Sequence, residues 1–137
     1  MAVTEAEFRR IWDGVWHSKN YEAVIGDSYA DSFAMHISSL PNPIDKPTLA
    51  HFVAGWQKAF PDGRMQIHDV AVEGDKVWCY WTSTGTHSDE YLGIPATGNK
   101  VAYQGMDLFH FVDGRVVENW DLPDALTLLR QLGALPG

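Results

Sequence analysis

The sequence predicts an α+β fold: a curved antiparallel sheet with N-terminal helices packed on one face, a cone-shaped pocket between them, and a short C-terminal helix. Three observations predict it. Large apolar residues recur at helical spacing through most of the first 60 positions, two-residue alternation takes over from Met65, and tight-turn pairs stand at Gly74-Asp75 and Asp113-Gly114.

The first helix starts at Thr4, which has capping-box spacing to Glu7, with Val3 placed to staple onto Phe8. Phe8, Ile11, Trp12, Val15 and Trp16 then share one face. A short second helix follows Asn20 and runs to near Asp27. Phe33-Ala-Met-His-Ile37 alternates and reads as a short strand, with His36 opposite the Phe33, Met35 and Ile37 face. Pro41, Pro43 and Pro47 mark a loop. Leu49, Phe52, Val53, Trp56 and Phe60 define a third amphipathic helix, which Pro61-Asp-Gly63 ends.

Strands follow. Met65 to Val72 alternates, Gly74-Asp75 turns the chain, and Val77 to Thr84 is rich in strand formers. Gly93-Ile-Pro-Ala-Thr-Gly98 is a loop. The hairpin from Val101 to Asp121 comes next, and a last helix starts at Asp124 with Ala125, Leu128, Leu129 and Leu132 as its stripe and Gly133 as its stop.

That hairpin carries an acid on each arm among large apolar neighbours, Asp107 and Asp121. Tyr103, Gly105, Asp107, Phe109 and Phe111 share one face of the first arm, and Asn119 and Asp121 share one face of the second. A three-residue loop with Gly114 left-handed sets Phe111 opposite Arg115, Asp107 opposite Asn119 and Gly105 opposite Asp121. A two-residue loop shifts the register by one and parts the acids onto opposite faces. The first register is expected, because it groups Phe109, Phe111 and Val117 with the polar trio.

At 137 residues, 45% of them hydrophobic, the chain is most simply one globular domain over its whole length. Six Trp, five Tyr and six Phe favour an aromatic-lined cavity for a small hydrophobic molecule. A net charge of −8 without a basic run argues against nucleic-acid or anionic-membrane partners. The lone Cys79 sits in an apolar strand and reads as a buried inert thiol. With no membrane-length apolar run and no leader-like start at Met1, a cytoplasmic location is expected. The histidines lack metalloprotease spacing, so no metal site is expected, and neither a phosphate loop nor a serine nucleophile motif occurs.

Phe60-Pro61-Asp62, Gly74-Asp75-Lys76-Val77, Gly85-Thr86-His87, Gly93 to Gly98, Asp113-Gly114, Glu118-x-Trp120-x3-Asp124 and Gln131-Leu132-Gly133 occur in series. Together they resemble the SnoaL-like polyketide cyclase (ester cyclase) family across residues 4–133. The resemblance implies the cone-shaped fold shared with nuclear transport factor two and ketosteroid isomerase. It also implies cofactor-free ring closure by intramolecular aldol condensation, with an aspartate as acid and base. That aspartate looks like Asp121, and the family's early histidine looks like His36. Asp124 matches a common family aspartate and reads independently as a helix cap, so the working acid stays open between the two. Sheet faces in this fold commonly dimerise, so a homodimer is expected.

The candidate catalytic residues are therefore Asp121, His36 and Asp107. Apolar walls and a second carboxylate both raise a carboxyl's pKa towards the range where it exchanges protons near neutrality. Asn119 shares the face of Asp121 and is placed to donate to an enolate oxygen. His87, Tyr103, Phe109, Trp81, Phe52 and Trp56 complete the expected substrate-binding set. The leading expectation is a cofactor-independent acid–base enzyme on an apolar carbonyl substrate. The alternatives are an isomerase, dehydratase or hydroxylase-type enzyme on the same fold, or a non-catalytic binder of small hydrophobic molecules.

Overall fold

The computed structural model describes residues 3–135; Met1 and Ala2, at the start read as lacking a leader, lie outside them. Helix α1 (Glu5–Trp16) begins where the Thr4 hydroxyl accepts the Glu7 amide at 3.1 Å, and it buries Phe8, Ile11, Trp12 and Val15. After α2 (Tyr21–Ser28), strand β1 (Tyr29–Ile37) starts four residues earlier than the alternation at Phe33 suggests. Helix α3 (Lys46–Ala59) is capped by Asp45 and takes Pro47 into its first turn, where a missing N–H costs nothing. Strands β2 (Arg64–Glu73), β3 (Lys76–Thr86), β4 (Lys100–Val112) and β5 (Arg115–Pro123) follow, then α4 (Ala125–Gln131).

The sheet order is β1-β5-β4-β3-β2. The four later strands pair antiparallel as expected, but β1 joins the edge parallel to β5. No hairpin binds those two strands. The chain between them holds α3 and three strands, so their direction is set by packing. Register breaks in β1, β2 and β5 bend the sheet. Its concave face carries the core, which α1 and α3 cover and α4 flanks.

The β4–β5 turn differs from the expected three-residue loop. Val112 pairs with Arg115 across a two-residue turn, with Asp113 at φ 51° and Gly114 at φ 79°. That turn alone would part the two acids. Phe111 pairs with Val116, however, and His110 with Glu118, which leaves Val117 as an extra residue on β5. This bulge slides the ladder by one and brings Asp107 opposite Asp121. The shared face therefore holds for a different reason, and Val116 takes the buried position expected of Val117.

Candidate active site

The concave face, α1 and α3 enclose a pocket whose deep wall comes from alternate residues of β4 and β5. Asp107 lies in the middle of β4, and Asp121 lies across from it near the end of β5; both are buried. Trp12, Trp16 and Phe52 wall the pocket from the helices, while Leu40 and Leu92 stand at its mouth. Space not filled by atoms amounts to about 820 Å³, counting the mouth open to solvent. Trp12 of α1 packs against Trp81 and Phe109 of the sheet, ring centres 6.3 and 6.4 Å apart, which narrows the deep part to a slot.

The polar end of this slot is a carboxyl pair. The Trp81 indole N–H donates to Asp107 Oδ1 at 2.8 Å, and the Asn119 amide donates to Asp107 Oδ2 at 3.2 Å. Asp107 and Asp121 share a further side-chain hydrogen bond. Burial raises the pKa of Asp107, while the bonds with Asp121, Trp81 and Asn119 favour its ionised form. Asp121 is raised well above the ordinary carboxylate range, first by burial, then by the Asp107 charge and the bond between the two. The pair therefore holds one proton across the range where ordinary carboxylates have lost theirs, and Asp121 is the side that favours it. Burial likewise raises the Cys79 thiol, which sits opposite Asp107 on β3, so the expected inert thiol is what the strand presents.

Of the residues singled out from sequence, the pocket brings together Asp107, Asp121, Asn119, Tyr103, Phe109, Trp81 and Phe52. Three others lie elsewhere. His36 is on the convex face, where its Nε2 meets Glu118 Oε2 at 2.6 Å and its ring stacks on Trp120 at 5.3 Å. Strand alternation puts Met35 and Ile37 inward and so turns His36 away, whatever the family pattern suggests. His87 is sealed in the interior. Its Nδ1 lies 2.9 Å from the Thr97 hydroxyl and 3.2 Å from the Thr97 amide, which fastens the loop after β3. Trp56 is buried behind the pocket against Trp16, ring centres 5.5 Å apart.

Asn119 is present but committed. Its amide donates to Asp107 and to the Leu108 and Trp120 carbonyls at 3.2, 3.0 and 3.3 Å, which occupies both its hydrogens. It positions Asp107 and has no hydrogen left for an enolate. Asp124 is a cap, accepting the Thr127 amide at 3.1 Å and its hydroxyl at 2.6 Å, and it does not line the slot.

Sequence reasoning missed Tyr29 and Tyr91, which both line the pocket. Tyr29 precedes the register break in β1, so the alternation from Phe33 does not reach it cleanly. Tyr91 lies in an irregular loop without periodicity and offers no signal. Among the described residues no group of three His, Cys, Asp or Glu side chains is placed to hold a metal, and no helix is long and apolar enough to cross a membrane.

Comparison with known proteins gives a consistent picture. Nogalonic acid methyl ester cyclase of Streptomyces nogalater is 27% identical over 105 residues, 68% of this chain and 78% of that protein. Aklanonic acid methyl ester cyclase DauD of Streptomyces sp. strain C5 is 39% identical over 80 residues, 57% of this chain and 50% of that protein. Among solved structures, a candidate SnoaL-like polyketide cyclase from Jannaschia sp. CCS1 superposes with a TM-score of 0.85. It is 25% identical, over 96% of this chain and 92% of that one. AclR, a candidate hydroxylase from Streptomyces galilaeus, gives 0.81 at 28% identity, over 97% of this chain and all of that one. The model of the SnoaL-like polyketide cyclases matches residues 6–132, and the chain belongs to that family.

Proposed function

We propose that the protein is a cofactor-independent acid–base enzyme that closes a ring in a small apolar polycarbonyl compound by intramolecular aldol condensation. The observation that carries this is the pair of buried carboxyls, Asp107 and Asp121, facing each other at the end of an aromatic slot. The pair begins with one proton. Its ionised member takes a second from the carbon α to a carbonyl, the resulting enolate carbon attacks another carbonyl carbon, and the pair returns one proton to the new alkoxide. Protons balance over the cycle without a cofactor. Positioned acid–base catalysis of this kind contributes on the order of 10²–10⁴-fold. Asp107, held by Trp81 and Asn119, is the ionised member at rest and takes the α-proton, and Asp121, which carries the resting proton, gives it to the new alkoxide.

The relatives' names suggest the compounds to try: nogalonic and aklanonic acid methyl esters. Turnover should be lost in Asp121→Asn while binding of the ester survives. Binding that survives with no turnover even in the wild-type protein would support a non-catalytic binder instead. The likeness to AclR favours a hydroxylase-type reaction as the second reading. Product mass separates the two, since aldol closure leaves it unchanged and hydroxylation adds one oxygen.

We also propose that two copies pair through the convex sheet face. Trp78, Met106 and Leu122 lie there on three adjacent strands, 41%, 60% and 58% exposed. Size-exclusion chromatography giving a monomer at micromolar concentration would refute the pairing.

A further inference from the structure

With the Asn119 amide and the Trp81 indole both committed to Asp107, the pair's own neighbours leave no donor for the enolate oxygen. An enolate in an apolar slot needs one, because a buried unbonded oxyanion is costly. Three phenols line the slot: Tyr29 on β1 feels the charge of Asp107, while Tyr103 on β4 and Tyr91 on the loop feel that of Asp121.

A second observation singles out the Tyr103 hydroxyl. Ser83 stands directly across the β3–β4 ladder from Tyr103, on the same buried face. Ser83 Oγ and Trp56 Nε1 are sealed from solvent and have no hydrogen-bond partner among the described residues. Both also favour the ionised form of the Tyr103 hydroxyl, which puts them beside it. An indole N–H donates only. An acceptor is what the Trp56 indole lacks, and a Tyr103 oxygen that serves as that acceptor keeps its own proton to donate to a bound ligand. Sealed donors that served nothing would each weaken the fold.

We infer that Tyr103, backed by Trp56 and Ser83, and Tyr91 beside it form the site that binds the substrate's carbonyl oxygen as it becomes an enolate. This rests on the acid–base reading of the carboxyl pair and deepens it. The α C–H bond breaks, its proton goes to the ionised carboxyl, and its electron pair moves onto the oxygen held by the two phenols. Burial keeps both phenols protonated, with Tyr103 pushed up to about 12 and Tyr91 also raised, so both remain donors. Tyr103 and Tyr91 contact the oxygen; Ser83 and Trp56 are positioning residues. The site selects substrates with an oxygen on the carbon next to the one deprotonated.

The test compares two probes of one shape, 2-naphthol and naphthalene, by quenching of tryptophan fluorescence. The wild-type protein should prefer 2-naphthol by about tenfold, the value of one hydrogen bond in a buried site. Tyr103→Phe and Tyr91→Phe keep the rings and should each cut that ratio by about three- to tenfold with naphthalene binding unchanged. Ser83→Ala should lower it by about threefold, since general packing damage would weaken both probes alike. A ratio unchanged in both tyrosine variants overturns the inference and leaves the carboxyl pair untouched. Failure of the wild-type protein to bind either probe overturns the apolar-substrate reading, and this inference with it.

Discussion

Asp107 and Asp121 stand directly opposite one another on the concave face of β4 and β5, where only a one-residue bulge at Val117 allows them to meet. Their pairing has a consequence for stability. Because Asp121 is raised well above 3.8 in the folded protein, the fold keeps a proton that the unfolded chain releases near pH 4. Stability from this group therefore falls as pH rises from about 4 to the folded pKa, and then levels. Every tenfold difference in proton affinity between folded and unfolded chain corresponds to about 1.4 kcal/mol. Asp121→Asn has no such penalty, so its melting temperature should gain on the wild type across that window. Parallel melting curves at every pH from about 4 to 9 would contradict the raised pKa.

Gly105 is where the sheet makes room for the pair's support. A methyl group there would overlap the Trp81 indole, the ring that donates to Asp107. Gly105→Ala should cost about 1–3 kcal/mol and tilt the indole away from the carboxyl. A lowered denaturation midpoint together with a changed tryptophan emission checks both effects.

The two aspartates near the end of β5 should separate cleanly by substitution. Asp124→Ala removes the cap of α4 and should lower the melting temperature by a few degrees while leaving turnover of a cyclised ester in place. Asp121→Asn should do the reverse, abolishing turnover in a protein that folds. Equal losses of rate in both would place the working acid elsewhere.

Leu92 stands 56% exposed at the pocket mouth with φ 54°, in a two-residue turn closed by the Tyr91–Ile94 bridge. A leucine in the left-handed region is strained, and glycine is not. Leu92→Gly should therefore hold or raise the melting temperature. It should also weaken naphthalene binding by about three- to tenfold, because part of an apolar wall is lost. Unchanged affinity would mean that the mouth does not touch the ligand.

Much of this was legible in the chain. Phe8, Ile11, Trp12 and Val15 mark the buried face of α1 by spacing alone, and alternation in β4 puts Tyr103, Asp107 and Phe109 on one side. The same alternation turns His36 outward, against the role suggested by family resemblance. Periodicity could not reach Tyr91 in its irregular loop, nor show that Asn119 spends both its amide hydrogens on neighbours.

By itself the sequence determined which segments coil or extend and which side of each is greasy, because those choices depend on residues two to four positions apart. Tertiary structure alone decided what meets what. The Val117 bulge sets Asp107 against Asp121, β1 enters parallel at the edge, and Ser83 stands across the ladder from Tyr103. Such meetings follow from how the turn closes and how Val116 packs into the core, energies that involve partners far along the chain.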